Sequence, residues 1–173
     1  MGSRGARLTL SVQSAAKGHA LPARARLRQW AQAALERDTE LTLRIVGEME
    51  GRRLNAQFRG KDYATNVLTF AYGEPAMPGM PLCGDIVLCA PVIENEALDQ
   101  SKPLEAHYAH LVVHAILHLH GYDHEFDDEA QAMEARESAI VMRLGYPDPY
   151  LPAAETPNDT ASRAAMIEDG PSP

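Results

Sequence analysis

The chain has 173 residues, 45% hydrophobic and 23% charged, with a formal net charge of −8, the size and balance of one globular domain able to bury a core. Its apolar runs are broken by charge or histidine and fall short of the ~20 residues that cross a bilayer, and its start, MGSRGARLTLSVQ, lacks the apolar core and cleavage site of a secretory leader. A cytosolic protein is expected, and the acidic total argues against indiscriminate nucleic-acid binding. The charge is nevertheless polarised, +7 over residues 1–61 and −15 over 62–173. The basic third can touch phosphate, while the acidic remainder faces solvent or a basic partner protein.

LTLSVQ at 8–13 alternates apolar and polar residues, as a half-buried strand does. After Pro22, residues 23–37 put Leu27, Trp30, Ala31, Ala34 and Leu35 at helical spacing, which makes Trp30 a core residue and leaves Arg24, Arg26 and Arg28 outside. A second strand alternates over 41–46, a short helix runs over 51–59 through Leu54 and Phe58, and β-forming residues at 67–72 predict a third strand. A loop with Pro75, Pro78, Gly79 and Pro81 leads to a buried strand, GDIVLC at 84–89, and then to an acidic helix over 90–100. The next helix runs from Pro103, suited to a first turn, to about His120. Asp127 or Asp128 is expected to cap the last helix, with Ala130, Met133, Ile140, Val141 and Leu144 as its apolar face and Gly145 as its stop.

This order of about four strands and five helices predicts an α/β (α+β) fold, a single domain over residues 1–150 around one mixed sheet. Residues 151–173, rich in Pro, Ala and acid without an apolar period, predict a flexible tail. Cys83 and Cys89 have five residues between them, the spacing of neither a zinc pair nor a redox pair, and read as small apolar residues without a disulfide.

The chemistry is concentrated around HAILHLHGYDH at 114–124: six of the seven histidines fall within residues 107–124, four of them in this motif, and only His19 lies elsewhere. His114 and His118 are one helical turn apart on the same face. Gly121 lets the chain turn so that His124 returns towards them. Three histidines at H-x3-H-x5-H with a fourth position left for water are the donor set of a catalytic zinc ion. The same spacing occurs in zinc endopeptidases, but their general base is a Glu directly after the first His, and Ala115 stands there.

Beyond the histidines, FRGKDYATNVLTF at 58–70, CGDIVLC at 83–89, HLVVHAILHLHGYDH at 110–124, MEARE at 133–137 and LGYPDPY at 144–150 follow one another. In these blocks and their order, over roughly residues 6–150, the chain resembles the YbeY family of bacterial endoribonucleases and ribosomal RNA maturation factors. Two positions depart from the pattern: Ala115 replaces the more usual glycine, and His120 stands where an apolar residue is more usual. We read His120 as exposed or supporting rather than as a fourth ligand.

The resemblance implies one zinc ion on His114, His118 and His124, and an active-site role for Arg59. Arg59 and Lys61 of the Arg-Gly-Lys-Asp block are the expected substrate-binding residues. An arginine fork suits a phosphodiester oxygen and the extra charge of its transition state, although Arg59 pairing with Asp62 is the plainer alternative. The general base stays open among the zinc-activated water, Asp85 and Asp123, and either that water or the ribose 2′-OH attacks.

The implied function is single-strand-specific cleavage of RNA in 16S ribosomal RNA 3′-end maturation, ribosome biogenesis and ribosome quality control. The expected partners are single-stranded or ribosomal RNA and the ribosome or its small-subunit proteins, with neither DNA nor membrane. A non-catalytic, metal-stabilised ribosome-binding factor is the alternative, and a zinc peptidase-like hydrolase a weaker one.

Overall fold

The computed structural model describes residues 5–152; the tail expected from residue 151 therefore lies, past residue 152, outside the described residues. Four strands, β1 (Leu8–Ser14), β2 (Thr39–Val46), β3 (Val67–Ala71) and β4 (Leu82–Cys89), form one sheet in the order β1-β2-β4-β3. β1, β2 and β4 are parallel and β3 runs antiparallel along β4, which leaves β3 as an edge. The helices are α1 (Arg24–Ala34), α2 (Glu48–Arg59), α3 (Ala90–Asp99), α4 (Leu104–Leu119) and α5 (Asp127–Arg143). The result is the single α+β domain expected, with a mixed sheet.

Alternation along the strands divides the sheet into two unequal faces. Leu8, Leu10, Leu41, Leu43, Ile45, Ile86 and Leu88 point to the main core, where they meet Leu27, Trp30 and Ala31 of α1 and most of α4. Trp30 is fully buried, as its spacing predicts. On the other face Val46, Leu68, Val87 and Cys89 form a smaller cluster against Leu54 of α2 and Val92 of α3. α4 is hydrophobic nearly all round because it is sandwiched between α1, α5 and the sheet.

Several boundaries differ from the sequence reading. β2 and β4 each begin two residues early because Thr39 pairs with Leu82, and this register brings Cys83 into the ladder beside Glu40. α1 stops at Ala34, where Leu35 turns extended, rather than at Arg37. α2 starts at Glu48, early enough for Glu48 and Glu50 to face the positive end of the helix dipole. Pro103 is the N-cap of α4 and not its first residue; its carbonyl accepts from the His107 N–H at 3.1 Å.

Neither Asp127 nor Asp128 caps α5. Phe126 holds that position, and Asp127, Asp128 and Glu129 occupy the first turn, where the dipole favours their charge. Cys83 and Cys89 are both free, and no described helix is long and apolar enough to cross a membrane.

Gly84 sets how closely α4 approaches the sheet. A Cβ there would lie 2.7 Å from Leu119 Cδ2 and 3.0 Å from the Phe70 carbonyl oxygen. Leu119 follows His118, so this contact also positions the end of α4 that carries the histidines. Gly84→Ala is expected to cost about 1–3 kcal/mol through overpacking, read as a lower urea midpoint at unchanged slope; an unaltered midpoint would mean that Leu119 yields freely.

Candidate metal centre

α4 presents His114 and His118 on one face, and the helix then ends in a tight turn. Gly121 adopts φ 97°, which a side chain resists. The His120 N–H returns to the Ile116 and Leu117 carbonyls, and the Tyr122 N–H to the Leu117 carbonyl at 3.1 Å. This reversal brings the His124 ring to 5.9 Å from that of His114 and 6.2 Å from that of His118, centroid to centroid. The turn is anchored by Tyr122, whose hydroxyl donates to Glu36 at 2.7 Å.

The three rings line a shallow pocket of about 200 Å³ together with Val67, Leu68 and Thr69 of β3 and Arg59 from the end of α2. Arg59 reaches the exposed edge of the sheet, where its Nη2 donates to the Thr69 carbonyl at 2.9 Å and its guanidinium lies 5.6 Å from the centre of the Phe70 ring. It does not pair with Asp62, which Arg52 holds through two hydrogen bonds of 2.8 and 2.9 Å. Lys61 is exposed, two residues past α2, and is not part of the pocket lining.

Two of the rings have a defined orientation. His114 Nδ1 is 2.5 Å from Glu137 Oε1 and His118 Nδ1 is 3.1 Å from the Tyr122 carbonyl oxygen. A carboxylate and a carbonyl only accept, so both Nδ1 atoms carry protons and each Nε2 keeps a free lone pair for a metal. This is the usual support of a metal-binding imidazole, and the donor set therefore fits a metal ion. Among the described residues, His118, Asp123 and His124, without His114, form a group whose ligand atoms lie within 4.8 Å of one another. Asp123 enters it because its Oδ1 accepts the His124 N–H at 2.7 Å, an arrangement local to the turn.

Glu137 is the functional residue that sequence reasoning missed. It is completely buried in α5 and accepts from His110 Nε2 at 2.9 Å, from His114 and from the Tyr150 hydroxyl. Burial pushes its carboxyl up, but the hydrogen bonds from His110, His114 and Tyr150 outweigh that and hold it at about 2. A signal was present: Glu137 falls on the stripe of Met133, Ile140, Val141 and Leu144, where a carboxylate needs a partner.

Asp85 accepts from Tyr72 on the far face of the sheet and does not line the histidine pocket. His120 is half-buried and turned away, with Nδ1 2.7 Å from the Ile116 carbonyl oxygen and Nε2 facing the Glu36 N–H at 3.4 Å. It ties the turn to Glu36, just past α1, so of the two readings, exposed or supporting, the structure favours the second. Ala115 is wholly inside the core, so the position of the peptidase glutamate faces packing here.

His107, two turns before His114 on α4, is also buried and bonds Glu96 at 3.1 Å. Burial pushes its pKa down, partly offset by Glu96. The unfolded chain then takes up a proton at higher pH than the folded one, so stability is full above about pH 6.5 and falls as pH drops towards the folded value. His107→Gln is expected to flatten this limb of a urea-denaturation series between pH 8 and pH 5; an unchanged slope would exclude His107 as its source.

A single α+β domain with a histidine cluster at one sheet edge, supported by a buried carboxylate and faced by an arginine, defines a candidate metallohydrolase. The family model described as Endoribonuclease YbeY matches residues 13–145, and the chain belongs to that family. The relative from Azoarcus sp. (strain BH72), named Endoribonuclease YbeY, is 59% identical over 150 residues, which cover 83% of this chain but 60% of the relative's own length, less than two thirds. One of the same name from Aromatoleum aromaticum is 57% identical over 147 residues, covering 83% of this chain and 93% of the relative. The solution structure of TM1509 from Thermotoga maritima matches with a TM-score of 0.55 at 25% identity, covering 94% of this chain and 97% of that one.

Proposed function

We propose that this protein is a zinc-dependent, single-strand-specific endoribonuclease of 16S ribosomal RNA 3′-end maturation and ribosome quality control, working in the cytoplasm with the ribosome or its small-subunit proteins. The observation that carries the reading is the convergence of Arg59 on the three-histidine pocket. His114, His118 and His124 would hold the ion, the Nδ1 atoms of the first two being already engaged by Glu137 and the Tyr122 carbonyl. Zinc in such a set supplies Lewis acidity and lowers the pKa of water.

The chain's own groups do the rest. Arg59 grips a nonbridging phosphate oxygen with the donors not spent on Thr69, and its guanidinium is pre-placed against Phe70, so little order is lost when substrate arrives. Glu137 keeps the His114 proton on Nδ1. Asp123, at the mouth of the turn, is the carboxylate best placed to accept a proton, whereas Asp85 is bound to Tyr72 elsewhere. Lys61 adds a flexible positive charge outside the pocket. The shallow site suits a strand that can bend its backbone inwards, as single-stranded RNA does, and the free thiols of Cys83 and Cys89 suit a reducing compartment.

Cleavage of an end-labelled single-stranded RNA by metal-analysed protein tests this. Wild type is expected to carry about one zinc ion per chain, the count of one three-histidine site, and to cut until a chelator is added, while His118→Ala does neither. Protein that binds zinc yet leaves RNA whole would favour the non-catalytic ribosome-binding factor.

A further inference from the structure

The sheet face turned away from the main core is only partly covered. α2 and α3 shield its β3–β4 end, and beside α2 a groove of about 570 Å³ remains open, within the range of small-ligand sites. Leu54 of α2 and Val87 of β4 line its apolar base, and its walls carry the rings of Phe58, Phe70 and Tyr72. Phe58 is 51% exposed and Tyr72 65% exposed, a large apolar area to leave in water. Phe70 is held edge-on by Phe58, with ring centroids 5.1 Å apart, and faced by the Arg59 guanidinium.

We propose that this groove is a nucleobase subsite, in which a nucleotide flanking the scissile phosphate stacks its base on Tyr72 and Phe58. The inference rests on the endoribonuclease reading, and it names where the substrate strand goes. Continuity is the first argument: Arg59 lines the histidine pocket and lies against Phe70, which lines the groove, so a strand held at Arg59 passes directly over the sheet edge onto the aromatic walls. The charge pattern is the second. Arg44 in the groove is spent on Glu50, at 2.6 Å, and on Gln13, so among the described residues the groove offers no free cation for a phosphate. Its remaining polar atoms, on Thr42 and the Gln13 side-chain N–H groups, can meet a base edge, while the Tyr72 hydroxyl is already given to Asp85. Phosphate at Arg59 and base in the groove is the division of labour of single-strand binders.

The test is equilibrium binding of a fluorescent 2′-O-methyl RNA decamer to the full-length, metal-loaded protein, with the RNA checked on a gel after each titration. Tyr72→Ala and Phe58→Ala are each expected to weaken binding about tenfold, the usual effect of losing one stacking partner, while zinc content stays at the wild-type value. Tyr72→Phe keeps the ring and should bind as wild type; Leu98→Ala removes a still more exposed apolar residue outside the groove and should change nothing. Wild-type affinity in both alanine variants would overturn the subsite and leave the groove to a partner of another class. Loss of affinity in the Leu98 control as well would overturn it by showing a general effect. Aromatic-dependent binding by a protein that cuts no RNA would keep the subsite and sink the catalytic reading instead.

Discussion

Glu137→Gln is expected to lower metal affinity at the three-histidine site by about 10- to 100-fold, the usual effect of disturbing a carboxylate that orients a metal-binding histidine. The amide keeps the size of the side chain but removes the charge that His110, His114 and Tyr150 all address. It can also donate to His114 Nδ1 and so favour the tautomer whose Nε2 is already protonated. Glu137→Ala goes further, since it leaves those partners facing a buried void, and should cost about 3 kcal/mol of stability. Competition with a chromophoric chelator reads the first effect and urea denaturation the second. A Gln variant that holds metal as tightly as wild type would show that the carboxylate serves packing alone.

Arg59→Ala is expected to slow RNA cleavage about 100-fold or more, the scale of removing one donor to a developing oxyanion, while zinc content remains that of wild type. The side chain is exposed and spends one donor on Thr69, so its loss leaves the fold intact. Arg59→Lys should recover little, because an ammonium keeps the charge but not the planar fork that stacks on Phe70. Single-turnover cleavage with metal analysis of the same samples makes the distinction. If Arg59→Ala loses metal along with activity, the arginine acts by holding the pocket together and not on phosphate.

Local pattern made the elements legible, and their assembly decided the rest. The alternation in LTLSVQ, the helical spacing around Trp30 and the His114–His118 pair are properties of neighbouring residues and appear in the structure where expected. Thr39 and Leu82 join their strands because they pair with each other, which neither segment reveals alone. Arg59 stands 55 positions before His114 in the sequence, and only the family resemblance joined them there. Glu137 required α5 to lie on α4, although its place on an apolar stripe was a local hint. Charge was the weakest guide. Arg24 and Arg28 donate to carbonyls of β1 while Arg44 and Arg52 pair with acids, so much of the basic first third is already engaged within the protein.

The carboxylate beneath the histidines has a further consequence during synthesis. A nascent chain that has emerged only through His124 owns all three imidazoles, yet Glu137 and Tyr150, which fix the His114 ring, are still to come. Until α5 packs on α4 the first histidine is free to rotate and present either nitrogen. A chain truncated before Glu137 therefore carries the histidine motif without the carboxylate that orients its first ring.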